Sequence, residues 1–146
     1  MYRVLVPIDD RDDRVRSQAE AVLELPDADS AIRVDVLHVE TDIEIFDGDG
    51  EEPEIGELKE DRDSLEELPE TAPLIRDLLA EAGVETAFHT IAGNTTSGIL
   101  NVADQFDSDT LVLGARRRTP AGKAIFGSVS QKIILNSDRP VMVVPN

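Results

Sequence analysis

The chain has 146 residues and no cysteine, and its 31 acidic side chains against 14 lysines and arginines give a formal net charge of −17. The length predicts a single domain, residues 1–146, with room for a sizeable core. The missing thiols exclude disulfide frameworks, cysteine–zinc sites and thiol catalysis, and the negative surface disfavours general binding to nucleic acid or to anionic membranes.

The first segment predicts a buried strand followed by a helix. Tyr2–Ile8 is apolar, rich in β-branched residues and too short for a helix, which indicates a strand buried on both faces. Pro7 and Asp9 close this strand, and by itself Asp9 is interpreted as a helix N-cap in an acidic loop. Helical spacing of apolar residues then covers Asp13–Leu25, and Pro26 ends the helix.

A second strand and a long acidic connection come next. Apolar residues alternate along Ala31–Glu40, which predicts a strand with Val39 in the core. Thr41–Glu70 contains fourteen Asp or Glu residues and few apolar anchors, so we expect a flexible acidic insertion at about residues 41–70. Asp47–Gly50 lacks the EF-hand spacing, which disfavours a calcium site.

The middle of the chain predicts a helix, a strand and another helix. Pro73–Ala82 has helical spacing, and Gly83 stands where a C-terminal cap belongs. Val84–Ala92 then predicts a strand that ends at Gly93, and the polar residues after it offer N-caps for the next helix. His89 is interpreted as structural, because no Ser or Asp near it in sequence forms a catalytic relay. His38, at the end of the second strand, is interpreted in the same way.

Thr110–Ser130 carries the strongest functional pattern. A short apolar run ends at Gly114, an arginine-rich loop follows, and Gly127–Ser128 precede a segment with helical spacing. Such a strand, loop and helix start binds phosphate in α/β proteins, because glycine admits an anion to the backbone and the first-turn N–H groups point at it. Ser128 adds a hydroxyl donor. The last strand is bracketed by Pro140 and Pro145.

The order of predicted elements specifies the fold class. Five predicted strands alternate with predicted helices along the chain, and only the acidic insertion interrupts this alternation. This alternation predicts an α/β fold, a single doubly wound five-stranded parallel sheet with helices on both faces. Ligands bind outside the carboxyl ends of such strands, at the switch in strand order. Asp9, Val39, Gly93 and Gly114 would all lie at such ends.

The glycine spacing of Thr110–Ser130 resembles a known signature. Gly114, Arg117 and Gly127–Ser128 occupy the positions of Gly-x2-Gly-x9-Gly-(Ser/Thr), the ATP-binding signature of the universal stress protein family, with Arg117 in place of the second glycine. The resemblance covers nearly the whole chain except Thr41–Glu70. It implies a Rossmann-like fold of the universal stress protein type and a homodimer paired along the C-terminal strand.

The resemblance also implies a ligand and a set of binding residues. The ligand is ATP, with or without Mg²⁺, or another adenine nucleotide. In the family, an aspartate after the first strand contacts the nucleotide and the residue that ends the second strand meets the adenine through its backbone, which matches Asp9 and Val39. The residues implied for binding are Pro7, Asp9, Val39, Gly93, Leu113, Gly114, Arg116, Arg117, Gly127, Ser128 and Val129.

Two departures from the family pattern leave alternatives open. Arg117 either clamps the phosphates or fills part of the pocket, or the cluster Arg116–Arg118 pairs with carboxylates of a partner subunit. Asn94 and Thr95 stand where family members often have Asp-Pro, so no detailed role is carried over to that loop.

Three functions stay open. The sequence has no Walker lysine loop, nucleophile elbow or paired-carboxylate site, although Lys123 lies in the motif loop. We therefore expect no enzyme, slow ATP hydrolysis aside, and no metal site of the protein's own. The favoured hypothesis is a nucleotide-binding regulatory or stress-response module that acts as a homodimer with an unidentified regulatory protein partner. The alternatives are a nucleotide-independent dimeric interaction protein with a degenerate pocket, and a nucleotide hydrolase.

The composition also predicts the protein's environment. Abundant Asp and Glu with only three lysines and few large aromatics are typical of a cytoplasmic protein from a salt-accumulating halophile. In molar salt the Debye length is about 3 Å, which screens the repulsion between carboxylates. An ordinary acidic mesophilic protein is the alternative. No run approaches the ~18 apolar residues of a membrane span and no signal-like stretch begins the chain, so we expect a soluble cytoplasmic protein.

Overall fold

A computed structural model describes residues 1–41, 58–60, 68–115, 117–118 and 124–145 of the chain. The strands are β1 (Tyr2–Pro7), β2 (Ile32–Glu40), β3 (Lys59–Glu60), β4 (Glu85–Ala92), β5 (Thr110–Gly114), β6 (Arg117–Arg118), β7 (Ala124–Ile125) and β8 (Val141–Val144). The helices are α1 (Asp12–Leu23), α2 (Ala28–Ala31), α3 (Thr71–Glu81), α4 (Thr95–Gln105) and α5 (Ser128–Asn136). Most of the expected acidic insertion, including Asp47–Gly50, lies outside the described residues, as does Lys123.

The strands form one main sheet with the order β3-β4-β2-β1-β5-β8. The pairs β4–β2, β2–β1, β1–β5 and β5–β8 are all parallel, so the predicted five-stranded parallel sheet is confirmed. The two-residue β3 adds an antiparallel strand at the β4 edge, and β6 and β7 form a separate two-residue antiparallel pair. These short pieces were not predicted, because two residues are too few to show a period in sequence.

Apolar side chains of the sheet form two cores, one on each face. Alternate residues of a strand point to opposite faces, so neighbours such as Val4 and Leu5 belong to different cores. The first core packs against α1 and α3, where Val15 and Ile75 are fully buried. The second packs against α4 and α5, and its helical part includes Ile133. Helices therefore cover both faces of the sheet, as predicted.

The helix ends agree with the sequence at two of three places. Gly83 has φ 78°, a left-handed conformation that suits glycine after a helix. Asn94 is the N-cap of α4, and its side chain accepts a hydrogen bond from the N–H of Ser97 at 3.0 Å. The interpretation of Asp9 as an N-cap is wrong, because Arg11 holds that position in α1. The short α2, after Pro26, was not predicted.

A charged cluster surrounds the buried side chain of Asp35. Asp35 of β2 is fully buried, and it accepts a hydrogen bond from Arg3 Nη2 at 2.9 Å and another from His89 Nε2 at 3.1 Å. Burial alone raises the pKa of Asp35, but the hydrogen bonds from His89 and Arg3 outweigh it and leave the pKa below 3.8. The His89 ring also packs against Phe106, with centroids 4.7 Å apart. These contacts make His89 a structural histidine.

Two further expectations concern membranes and metals. None of the described helices combines the length and the apolar character that crossing a membrane requires. Within the described ranges, no group of three or more His, Asp or Glu side chains is placed to hold a metal ion.

Candidate functional site

The sheet opens where its strand order reverses. β1 pairs with β2 along its whole length, but with β5 only at Val4 and Leu5. The chain proceeds from β1 through β2 to β4 on one side, and β5 and β8 lie on the other side. A crevice therefore separates the carboxyl ends of β1 and β5, at the place where doubly wound sheets bind ligands.

Gln18 of α1 bridges this crevice. Its Nε2 donates one hydrogen bond to the carbonyl oxygen of Pro7 at 2.7 Å and another to the carbonyl oxygen of Val112 at 3.0 Å. The two carbonyls belong to β1 and β5, so the amide replaces hydrogen bonds that the separated strands no longer make to each other. Gln18 is only 1% exposed. Its side chain therefore keeps the strand ends apart without leaving their carbonyls unpaired.

Two cavities lie side by side at the carboxyl edge. The larger, of about 290 Å³, occupies the crevice, and the smaller, of about 200 Å³, lies at the start of α5. Among the described residues, Arg14, Gly114, Val129 and Ser130 line both cavities. The implied binding residues that line the larger cavity are Pro7, Asp9, Val39, Leu113, Gly114 and Val129. Gly127 and Ser128 line the smaller one.

The remaining implied binding residues are Gly93, Arg116 and Arg117. Gly93 lines neither cavity; its φ is 137°, and its N–H donates at 2.9 Å to the carbonyl oxygen of Glu40, the last residue of the paired strand β2. Arg116 lies outside the described residues. For Arg117 the structure describes the backbone, which pairs with Ile125, so the three interpretations of its side chain stay open.

Several lining residues were missed by the sequence analysis. Besides Gln18, they include Arg14, Thr95, Ile99 and Ser130. One signal pointed to Arg14: a cation in the first turn of a helix lies at the positive end of the helix dipole, which is unfavourable unless something compensates it. Gln18 carried no comparable signal, because both of its partners lie outside its own helix.

Unpaired polar atoms cluster at the larger cavity. Among the described residues, five buried side-chain nitrogen or oxygen atoms have no hydrogen-bond partner. Three of them belong to residues that line this cavity, namely Arg14 Nε, Gln18 Oε1 and His38 Nδ1. Buried polar atoms in native proteins are nearly always hydrogen-bonded. Such a concentration at one cavity indicates a place for a polar ligand.

Asp9 and His38 supply the titratable groups of the larger cavity. The Asp9 carboxylate pairs with Arg14 Nη1 through Oδ2 and accepts the N–H of Arg11 at 3.0 Å through Oδ1. Burial lowers the pKa of His38 below 6.5, although the charges of Glu40, Asp10 and Asp9 act in the opposite direction. His38 is therefore a neutral imidazole near pH 7, and its unpaired Nδ1 is available as a donor or an acceptor.

A sequence profile of the universal stress protein family matches residues 1–145. The chain belongs to this family. A universal stress protein of Mycolicibacterium smegmatis is 36% identical over 67 residues, which make up 45% of this chain and 52% of that protein. The alignment thus spans about half the length of this curated relative.

Solved structures share the universal stress protein fold with this chain. A universal stress protein from Archaeoglobus fulgidus superposes with a TM-score of 0.71 at 24% identity, covering 99% of this chain and 98% of that one. The structure of the Archaeoglobus fulgidus protein in complex with dAMP has a TM-score of 0.69 at 20% identity, with the same coverage. A family protein from Arabidopsis thaliana with AMP bound has a TM-score of 0.66 at 17% identity and covers 100% of this chain and 92% of that one.

Gly114, the first glycine of the universal stress protein signature, is in contact with a side chain of α1. The side chain of Arg14 lies directly over Gly114, where a β-carbon would come within 2.1 Å of Arg14 Cγ. Real β-carbons do not approach other atoms so closely. Gly114 therefore accommodates the stem of an arginine from α1, which the spacing of the signature did not predict.

Proposed function

We propose that this chain binds an adenine nucleotide and acts as a regulatory or stress-response module without catalytic turnover. The observation that supports this most strongly is the cluster of unpaired polar atoms on Arg14, Gln18 and His38 at one cavity. Relatives with the same fold have been solved with dAMP and with AMP. A nucleotide offers both hydrogen-bond donors and hydrogen-bond acceptors, which an apolar ligand lacks.

The two cavities suggest how the nucleotide would lie. The larger cavity has apolar walls from Val39, Ile99 and Leu113, which suit the faces of a base. The smaller cavity is formed by Gly127, Ser128 and the first turn of α5, where backbone N–H groups and the helix dipole favour an anion. We therefore place the adenosine in the crevice and the phosphates toward α5.

Direct binding tests this proposal. Protein purified in molar KCl is denatured and the released small molecules are identified by mass spectrometry; the protein freed of ligand is then titrated with AMP, ATP and GMP. We expect an adenine nucleotide in the first experiment and tighter binding of AMP than of GMP in the second. A protein that binds no adenine nucleotide would support the alternative of a nucleotide-independent interaction protein. Sustained phosphate release from ATP would contradict the absence of turnover.

In its more specific form, the proposal is that the bound nucleotide is ATP, with or without Mg²⁺. Its β- and γ-phosphates would extend from α5 toward the arginine-rich loop, so Arg117→Gly separates the three interpretations of Arg117. A phosphate clamp predicts weaker ATP binding in this variant, and a side chain that fills the pocket predicts tighter binding. Pairing with a partner subunit predicts unchanged ATP affinity and a weaker dimer.

We also propose that the chain forms a homodimer along β8. This strand lies at the end of the main sheet, and its residues Val141–Val144 are all partly exposed. The adjacent element in sequence, α5, carries Leu135 with 82% of its surface exposed. An apolar edge strand normally needs covering. Light scattering in molar KCl should give the mass of two chains, and a monomeric mass would contradict the proposal.

A further inference from the structure

Arg14 occupies the boundary between the two cavities. It lines both of them, together with Gly114 beneath its stem. One cavity is the crevice assigned above to adenosine, and the other is the space beside α5 assigned to phosphate. The group of a nucleotide that must pass this boundary is the 5′-phosphate.

The guanidinium of Arg14 has hydrogen-bond donors that Asp9 does not use. Its Nη1 donates to Asp9 Oδ2, while its Nε is buried and has no partner. A guanidinium presents five N–H donors, and it binds oxyanions best with two parallel hydrogen bonds. Asp9 engages Nη1, so a small shift of the guanidinium that uncovers the buried Nε would present the edge formed by Nε and Nη2 to a second oxyanion.

The surroundings of Arg14 differ from those of an ordinary surface arginine. Arg16, two residues further along α1, is exposed, whereas only 20% of the Arg14 side chain is exposed. Arg14 is held from both sides, by the Asp9 carboxylate and by contact with Gly114. The guanidinium is therefore held at the boundary of the two cavities by Asp9 and Gly114.

We propose that Arg14 is the residue that recognises the 5′-phosphate of the bound nucleotide. Its Nε–H and a terminal N–H donate to two phosphate oxygens while Asp9 keeps hold of the opposite side of the guanidinium. This inference rests on the proposed function and adds to it a specificity-determining residue outside the glycine signature. Arg14 then makes the site prefer a nucleoside monophosphate to the corresponding nucleoside.

Paired titrations with AMP and adenosine test this role at fixed KCl concentration. Arg14→Gln removes the positive charge and the paired N–H donors of the guanidinium. Arg16→Gln on the same helix changes the net charge equally and is the matched control. We expect Arg14→Gln to weaken AMP binding at least about tenfold, as is typical for loss of a charged hydrogen bond, and to change adenosine binding far less. Arg16→Gln should leave both affinities within about twofold of wild type.

The outcomes separate this inference from the proposed function. A wild type that binds AMP while Arg14→Gln binds it equally well overturns the inference alone, and so does an equal loss of AMP and adenosine binding. A wild type that binds neither ligand overturns the proposed function together with the inference. If Arg14→Gln does not fold, Arg14→Lys keeps the charge and lacks the Nε–H fork; a clear loss of AMP affinity in that variant supports the inference, and wild-type affinity overturns it.

Discussion

Arg14 and Gly114 lie so close that a β-carbon on the glycine would be 2.1 Å from Cγ and 2.6 Å from Cδ of the arginine. The first helix and the last residue of β5 are therefore matched to each other. The contact explains why the strand ends in glycine even before a ligand is considered. It also ties the signature to Asp9, because Arg14 is the ion-pair partner of that carboxylate.

The first prediction concerns this contact. Gly114→Ala should push the Arg14 stem aside and weaken its pairing with Asp9, so we expect AMP affinity to fall about tenfold, the effect of a lost charged hydrogen bond. The free energy of unfolding should fall by about 1–3 kcal/mol, because the new β-carbon overlaps the arginine stem and overpacking of this kind is destabilising. AMP titration and urea unfolding measure the two effects.

A double-mutant cycle provides the control. In an Arg14→Ala background no Cγ is present to be displaced, so adding Gly114→Ala should cause little further loss of AMP affinity. Additive losses in the double variant would show that the glycine acts without the arginine.

The second prediction concerns the bridge between β1 and β5. Gln18→Leu keeps the approximate volume but leaves the carbonyl oxygens of Pro7 and Val112 without their donor. Since unsatisfied buried carbonyls are unfavourable, we expect the free energy of unfolding to fall by about 2 kcal/mol or more. Gln105→Leu, at an exposed position of α4, is the control and should change it by no more than about 0.5 kcal/mol. Equal effects in urea unfolding would rule out a structural role for the Gln18 bridge.

The third prediction concerns the buried Asp35. Asp35→Asn should lower the free energy of unfolding at neutral pH by about 3 kcal/mol, because it breaks a buried charged cluster with Arg3 and His89. Asp77→Asn is the control, since the Asp77 side chain is 71% exposed.

The loss of unfolding free energy caused by Asp35→Asn should depend on pH in one direction. The pKa of Asp35 is below 3.8 in the folded state, so the unfolded chain takes up the proton first as the pH falls. The stabilisation by ionised Asp35 is therefore complete above about pH 4 and is lost as the pH falls through the folded-state pKa. The difference in the free energy of unfolding between wild type and Asp35→Asn should therefore become smaller in acid. A difference that stays constant down to about pH 2 would show that the carboxylate charge does not cause it.

The fourth prediction concerns salt. With a net charge of −17, repulsion between carboxylates opposes the compact state, and salt screens it. The melting temperature should therefore rise as KCl increases from dilute to molar concentration. A melting temperature that is flat over this range would contradict the prediction that salt stabilises this acidic protein.

The elements that could be predicted from sequence are those with a local cause. The long strands are apolar or alternating runs bounded by proline, glycine or carboxylates, and Gly83 marks a helix end because its left-handed backbone suits glycine. The parallel sheet follows from the alternation of such elements. β3 and the β6–β7 pair escaped prediction, because only their partners across the sheet make these residue pairs into strands.

Gly114, Gly127 and the strand-end residues Pro7, Asp9, Val39 and Leu113 could also be predicted as part of the site, but the side chains of α1 that line it, Arg14 and Gln18, could not. Gln18 belongs to the site through Val112, which is 94 positions away in the chain. Arg14 belongs to it through Gly114, and neither contact leaves a periodic pattern. His89 likewise found its carboxylate partner, Asp35, on a neighbouring strand 54 positions away, where a search of nearby sequence could not detect it.

Binding of labelled AMP to wild type and to Gly127→Val in molar KCl tests the central claim most directly. Gly127 has φ −72° and is the N-cap of α5, so valine brings no left-handed strain there, but its side chain enters the space proposed for phosphate. Equilibrium dialysis should show saturable AMP binding to the wild type and affinity at least about tenfold lower in Gly127→Val, with far-UV circular dichroism unchanged. Equal AMP binding by the two proteins, or none by the wild type, would contradict a nucleotide site at this edge of the sheet.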